Sequence, residues 1–383
     1  MSRLTADLLR VLAMLAVIAI HGTDAWRTVT EWPVSGREWT AFGIDQAARF
    51  CVPLFVLLSG YALAKRYGDS ATGRIARTGG SRGARENPPW SLREFLSARF
   101  ARVGLPFLTW SLANLVVLIA IGCLHWRQTP DVAALSALRA DDAPPAWAAL
   151  RWLLTGAADY HLYFLPIVIQ CYLLFPLVRR WRFSWTAFSL AAVLPLAGFL
   201  AWKESARIWG VWIPPLWSVF PLAWIGYFLA GTWLAREEDG FVRWVERLPA
   251  ALCWLLVLCG PAAVVGDALV EIALGVPPEG AGGFDRPAVM LFPLALIVAV
   301  VRMRRPLDRV LAPLAKAVTE IAAASFITYL AHTWVLRGLE SSGLKAVSLA
   351  LWLPAAIAGS LIFGVWLHRI GKLYPRFGMA IGA

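Results

Sequence analysis

Apolar residues run through this chain in blocks of roughly twenty, the length an α-helix needs to cross a bilayer core. Ten segments combine that length with few charges: 7–26, 41–64, 100–123, 160–178, 184–202, 215–235, 249–271, 287–303, 318–338 and 346–367. The ninth is the least apolar, because it holds Glu320, Thr328 and His332. The pattern predicts an all-α integral membrane protein, a bundle of about ten transmembrane helices in one membrane-embedded domain over 1–383. Neither an appended soluble domain nor an internal repeat of fixed period is expected. The longest connections are 65–99, rich in Gly and Arg around Thr78–Arg85, and 124–159, which contains Pro144-Pro145. The second is long enough to fold over a site. Arg3 and Arg10 before Val11–Ile20 imitate a signal peptide, but His21-Gly22-Thr23-Asp24-Ala25-Trp26 offers no A-x-A-like cleavage site. The first span is therefore expected to be retained.

Composition agrees: 59% of the 383 residues are hydrophobic and only 16% are charged, whereas soluble domains carry about 25% charged residues. A formal net charge of +12 would suggest nucleic acid in a soluble protein. Here it answers to the bias of Lys and Arg toward cytoplasmic loops. Ten spans alternate the connections between two sides. The side with both termini collects 25 Lys/Arg, including Arg3, Arg10, Lys65, Arg66, Arg99, Arg302 and Arg369, against 10 on the other. Both termini are therefore expected in the cytoplasm, and no nucleic-acid partner is expected. Arg74, Arg77, Arg82 and Arg85 would either attract anionic lipid or serve topology alone. The five cysteines show no CxxC spacing and no zinc pattern with histidine, so no metal is expected.

Ionisable residues inside spans are costly and usually face the bundle interior or an aqueous cavity. In this topology they gather at two depths. Arg10, Arg99 and Arg102 lie near the cytoplasmic face. His21, Asp45 with Arg49, His161 and His332 lie toward the outer third, on spans one, two, four and nine. Arg10 and His21 are eleven residues apart, about three helical turns, so they share a helix face and sit roughly 16 Å apart along the axis. Two readings stand at this point. In one, Arg10 snorkels to headgroups and His21 is a buried, hydrogen-bonded histidine. In the other, Arg10 clamps an anion while His21 accepts a proton, work suited to a side chain with an unperturbed pKa near 6.5.

Three stretches then carry a resemblance. They are Arg10-x10-His21, the run Arg49-Phe50-Cys51-Val52-Pro53-Leu54-Phe55-Val56-Leu57-Leu58-Ser59-Gly60-Tyr61, and Arg99-Phe100-Ala101-Arg102. In this order and spacing the chain resembles the acyltransferase 3 group of bacterial membrane O-acyltransferases. Weaker echoes are His161-Leu162-Tyr163-Phe164-Leu165-Pro166 and Tyr329-Leu330-Ala331-His332. The resemblance implies acetyl-CoA or another acyl-CoA as donor, and a hydroxyl of a polysaccharide or lipid-linked glycan as acceptor. It also implies a multi-pass protein of the bacterial inner membrane that modifies exopolysaccharide or a similar surface glycan. By position, Arg10, Arg99 and Arg102 would bind the CoA phosphates, and His21 would deprotonate the acceptor hydroxyl. Some members carry Glu where this chain has His161, and some carry a further extracellular domain.

The remaining candidates keep two readings each. Asp45 and Arg49, spaced i, i+4, form either a structural ion pair or a device orienting His21 or the acceptor. His161 is either a solvated interfacial histidine or a second catalytic one, and His332 either packs helices or serves the substrate. Ser59-Gly60 reads as a small-residue packing contact. No GxSxG elbow supports a serine nucleophile, and no P-loop supports ATP use. Trp126, Trp147 and Trp152 belong either to an interfacial belt or to a sugar-stacking surface. The rival function is a secondary transporter or flippase. Transport predicts repeat symmetry and broken helices at the midplane, and the sequence presents no repeat.

Overall fold

The computed structural model describes residues 2–27, 35–67, 91–125, 153, 155–181, 184–209, 221–276, 283–284, 286–344 and 348–383. The expectations for Arg74, Arg77, Arg82 and Arg85 and for Trp126, Trp147 and Trp152 lie outside them. Among the described residues there is helix and no strand. In chain order the helices are α1 (Arg3–Arg27), α2 (Gly36–Ala48), α3 (Cys51–Tyr67), α4 (Leu92–Arg99), α5 (Leu105–His125) and α6 (Phe164–Val178). They continue as α7 (Trp185–Trp209), α8 (Pro221–Arg236), α9 (Glu238–Glu246), α10 (Ala250–Ala273) and α11 (Pro287–Arg302). The last are α12 (Arg304–Leu311), α13 (Ala315–Glu340), α14 (Leu349–Leu373) and α15 (Pro375–Ile381).

Helix coincides with each predicted span. Six helical stretches are long and apolar enough to cross a membrane: Arg3–Asp24, Gly36–Tyr67, Leu92–Val117, Ala250–Ala273, Arg304–Glu340 and Leu349–Leu373. Phe164–Val178 and Pro287–Arg302 are apolar but shorter. This is a multi-pass membrane protein.

Local chemistry explains where these helices start and break. Ser35 and Glu38 close a reciprocal capping box on α2, so two of the amides at its first turn find partners. The second predicted span is two helices. Pro53 has no N–H to return to the Arg49 carbonyl, and its ring crowds that carbonyl. The chain turns at Arg49-Phe50 and restarts, with the Leu54 N–H on the Phe50 carbonyl at 3.0 Å. The third span is interrupted for the same reason. Pro106 offers no N–H to Arg102, and Phe100–Gly104 winds as a π turn in which the Leu105 N–H reaches the Phe100 carbonyl. Helices α4, α9, α12 and α15 were not anticipated, because each is too short to register as a span.

One apolar core joins Leu9, Ala13 and Val17 of α1, Leu54 and Leu57 of α3, Phe175 of α6, Phe228 of α8 and Ile327 of α13. Its tightest seam runs between α3 and α8. A Cβ on Gly60 would stand 2.2 Å from the Phe228 carbonyl oxygen, and one on Gly231 would stand 1.9 Å from that of Leu57. The two glycines let the backbones touch, which is how helices associate where lipid removes the hydrophobic drive. Gly60 of the Ser59-Gly60 pair is thus a packing residue.

Polar bonds sort the connections between the two ends of the bundle. Ser2 donates to Asp308 (3.2 Å), Arg302 to the Leu248 carbonyl (2.9 Å), Arg304 to Glu246 (2.6 Å) and Arg236 to the Arg179 carbonyl (2.6 Å). Lys65 pairs with Glu238, and Arg369 with Glu320 at 2.7 Å. These contacts tie the N-terminus, the C-terminal end of α14 and the Lys/Arg-rich connections to one end. His21, Asp159 and Arg337 lie at the other.

Gly60→Ala should therefore destabilise the folded protein by about 1–3 kcal/mol through overpacking. Gly266→Ala, a helical position where a Cβ meets nothing within 4 Å, should be neutral or slightly stabilising. Thermal unfolding of both variants in detergent checks the contrast.

Candidate active site

Helix α1 runs the length of the site. His21 lies three turns beyond Arg10 on the same face, and at its end of the bundle it borders a cavity of about 220 Å³. Arg49, Tyr160, His161, Tyr163 and Asp24 share the wall. The break forced by Pro53 puts Arg49 at the joint of α2 and α3, where its side chain enters the bundle instead of following a continuous helix. Gly22 keeps α1 close to α14: its carbonyl accepts the Trp352 indole N–H at 2.7 Å, one residue beyond His21.

Three histidines from three elements meet here. The His21 and His332 rings are stacked at 5.2 Å, and His161 stands edge-on to His332 at 5.1 Å. Tyr160 lies 4.7 Å from His21, centroid to centroid. His332 is fully buried, and its Nδ1 is 2.6 Å from the Tyr329 carbonyl oxygen. A carbonyl only accepts, so Nδ1 carries the proton and Nε2 holds the lone pair. The Tyr329 hydroxyl in turn donates to the His161 carbonyl. His161 is only 1% exposed, which replaces the solvated interfacial histidine with a buried one. Among the described residues no group of histidine, cysteine and carboxylate side chains has metal-ligand geometry.

The segment before α6 is folded tightly. Gly156 takes a left-handed φ of 72°, and a Cβ there would meet the Leu162 carbonyl oxygen at 2.5 Å. Only glycine lets the turn close so far. Within it the Leu162 N–H bonds the Asp159 carbonyl at 2.9 Å, which holds Asp159 beside His161. The Asp159 carboxylate accepts from Arg337 (2.8 Å), Thr333 (3.1 Å) and the Tyr160 N–H (2.9 Å). His161 Nδ1 stands 3.6 Å from it. Burial alone would raise the Asp159 carboxyl, but the adjacent His161 and the Arg337 charge outweigh it and hold the group below the usual carboxylate range.

Behind the cavity wall, Arg49 grips Asp45 with two nitrogens, Nε to Oδ2 at 3.1 Å and Nη2 to Oδ2 at 2.8 Å. The Gln46 side-chain amide adds a bond to Asp45 at 2.9 Å, and Arg286, fully buried, donates to the Gln46 side-chain Oε1 and to the Val264 backbone carbonyl. Arg49 also lies 5.2 Å over the Phe284 ring. The i, i+4 pair is thus formed, and one member of it faces the cavity.

The three remaining predicted residues are at the opposite end. Arg10 is a third exposed and paired with Asp7 at 2.7 Å. Arg99 sits among Tyr67, Phe95 and Tyr172, each ring within 5.8 Å, and among the described residues its buried Nε has no hydrogen-bond partner. Arg102 falls within the π turn that follows Arg99, so the two arginines differ in exposure: Arg99 is half-buried and Arg102 exposed. The structure brings His21, Arg49, His161 and His332 together, with Asp45 behind Arg49, and adds Asp159, Arg337, Gln46 and Arg286, which the sequence reading did not single out. Asp159 was the findable one, an acid two residues before His161. Arg337 is joined to it only by folding.

Comparison with protein families matches an acyltransferase domain over residues 4–369, nearly the whole chain. The chain belongs to the acyltransferase 3 family. It is therefore a membrane acyltransferase, and the cavity bordered by His21 is its candidate active site. Curated proteins and solved structures contain no match.

Asp45→Asn removes the charge that balances buried Arg49, and breaking a buried pair from one side costs roughly 3–5 kcal/mol. The Asp45→Asn/Arg49→Gln double variant should recover part of that loss. Detergent unfolding temperatures of the single and double variants test the expectation.

Proposed function

We propose that this acyltransferase is a bacterial inner-membrane O-acyltransferase, foremost an O-acetyltransferase. It moves an acyl group from acyl-CoA to a hydroxyl of a polysaccharide or lipid-linked glycan. The arginine-rich end and both termini face the cytoplasm, and the chain crosses the membrane ten times. The observation that carries this reading is the pairing, along one face of α1, of a cationic inner end with a polar cavity around His21 at the outer end.

The chemistry follows from those two ends. Guanidinium groups recognise phosphates through planar, charge-assisted hydrogen bonds, and Arg10, Arg99 and Arg102 supply them where CoA is available. Arg99 is held between aromatic rings, and among the described residues its Nε has no hydrogen-bond partner, so it can turn toward an anion. The offset of roughly 16 Å along α1 is of the order that an extended pantetheine arm bridges. The thioester then lies near His21. The acceptor hydroxyl enters from the outer side, His21 takes its proton, and the oxygen adds to the thioester carbonyl. The tetrahedral intermediate collapses to the ester and expels the CoA thiolate, which receives the proton. Arg49 on the cavity wall places positive charge where oxyanion character develops. Asp45 orients it, and His332 supports the His21 ring.

Purified protein given radiolabelled acetyl-CoA and a pool of surface glycans should transfer label. His21→Ala should lower transfer about 100-fold or more, the usual loss on removing a general base. Full activity in a normally inserted His21→Ala variant would rule His21 out as the base. Arg99→Gln and Arg102→Gln should each weaken acetyl-CoA binding about tenfold, read by equilibrium binding, and unchanged affinity would remove the arginines from the donor site.

A further inference from the structure

Asp159 has no role in the reaction as described, yet it is built like a working group. It is 5% exposed and anchored by three donors, two of them side chains of α13, Arg337 and Thr333. The Arg337 side chain is itself shared with Asn114 of α5 at 3.4 Å, and Trp334 donates to the same Asn114 oxygen at 2.7 Å. The carboxylate is thus fixed from α5, α13 and its own turn. What it faces is His161 Nδ1 at 3.6 Å, and His161 borders the cavity. Among the described residues neither buried ring nitrogen of His161 has a hydrogen-bond partner, and the Asp159 carboxylate is the charged group beside Nδ1.

We propose that Asp159 is a positioning residue acting through His161. A carboxylate beside Nδ1 favours the tautomer with its proton there and leaves Nε2 as the lone-pair nitrogen, the division of labour in a base and its orienter. This inference rests on the acyl-transfer reading above. The proton released by the acceptor hydroxyl resides on the histidine cluster while the C–O bond forms and the C–S bond breaks, and it ends on the CoA thiol. An imidazolium in this three-histidine cluster, with His21 and His332 stacked and His161 edge-on to His332 and with Arg49 and Arg337 nearby, would be repelled from several sides. The Asp159 carboxylate supplies the opposite charge in contact with the cluster. Gly156, by closing the turn, and Thr333, by holding one oxygen, serve that placement.

Asp159→Asn keeps the shape and removes the charge. In the label-transfer assay, scored per folded protein, kcat should fall about 100-fold while KM for acetyl-CoA stays within about twofold. Asp159→Glu should restore part of kcat. The deciding measurement is the double-variant cycle with His161→Gln. If Asp159 works through His161, adding Asp159→Asn to His161→Gln costs nothing more. Equal losses in both backgrounds, or an unchanged kcat, would overturn the role. Should Asp159→Asn fail to insert, Thr333→Val removes only one neutral donor. Its expected loss of about threefold in kcat should likewise vanish in the His161→Gln background, and its persistence there counts against the proposal. Wild-type protein that transfers no label would remove both readings. Wild-type transfer with an unimpaired Asp159→Asn removes the positioning role alone.

Discussion

Hydrocarbon offers no hydrogen-bond partner, so a polar group carried into the bundle is costly unless another part of the chain satisfies it. That constraint orders the half of the bundle around His21. Asp45 is answered by Arg49 and Gln46, and Gln46 by Arg286. Arg286 is answered in turn by the Val264 carbonyl. Asp159 is answered by Arg337 and Thr333, and His332 by the Tyr329 carbonyl. Each network draws on helices far apart in sequence, so satisfying the polar groups also fixes which helices are neighbours. The cavity is the space these networks enclose, and its wall presents groups that the surrounding bonds have already oriented.

Proline makes the second contribution. Pro53 and Pro106 interrupt two apolar spans that would otherwise be continuous helices, and both interruptions fall beside charged residues. At Pro53 the break turns Arg49 toward the cavity while leaving it on the α2 turn that carries Asp45. At Pro106 the π turn carries Arg102 and follows directly on Arg99. The two arginines occupy different environments, one enclosed by aromatic rings and one exposed.

The glycine seam between α3 and α8 serves the same end mechanically. Gly60 and Gly231 let α3 approach until backbone meets backbone, which holds the α2–α3 joint in place from behind. Tyr61, next to Gly60, reaches Glu238 at 3.2 Å, and Lys65 pairs with the same carboxylate. The motif around Gly60 thus works through packing.

The order of apolar blocks determined the all-helical membrane fold, because span length and hydropathy depend on composition alone. Helical periodicity determined that Arg10 and His21 share a face, and the i, i+4 rule determined the Asp45–Arg49 pair. Those relations are local, and local relations survive in a linear reading. Tertiary structure decided what depends on contacts between distant segments. It buried His161, stacked His21 on His332, and enclosed Arg99 among aromatic rings while leaving Arg102 exposed. It also set Arg337 against Asp159 across 178 positions of sequence. Nothing in the spacing of Asp159 and Arg337 announces their pairing. The need to satisfy a buried carboxylate joins them, and that need arises only once the helices have packed.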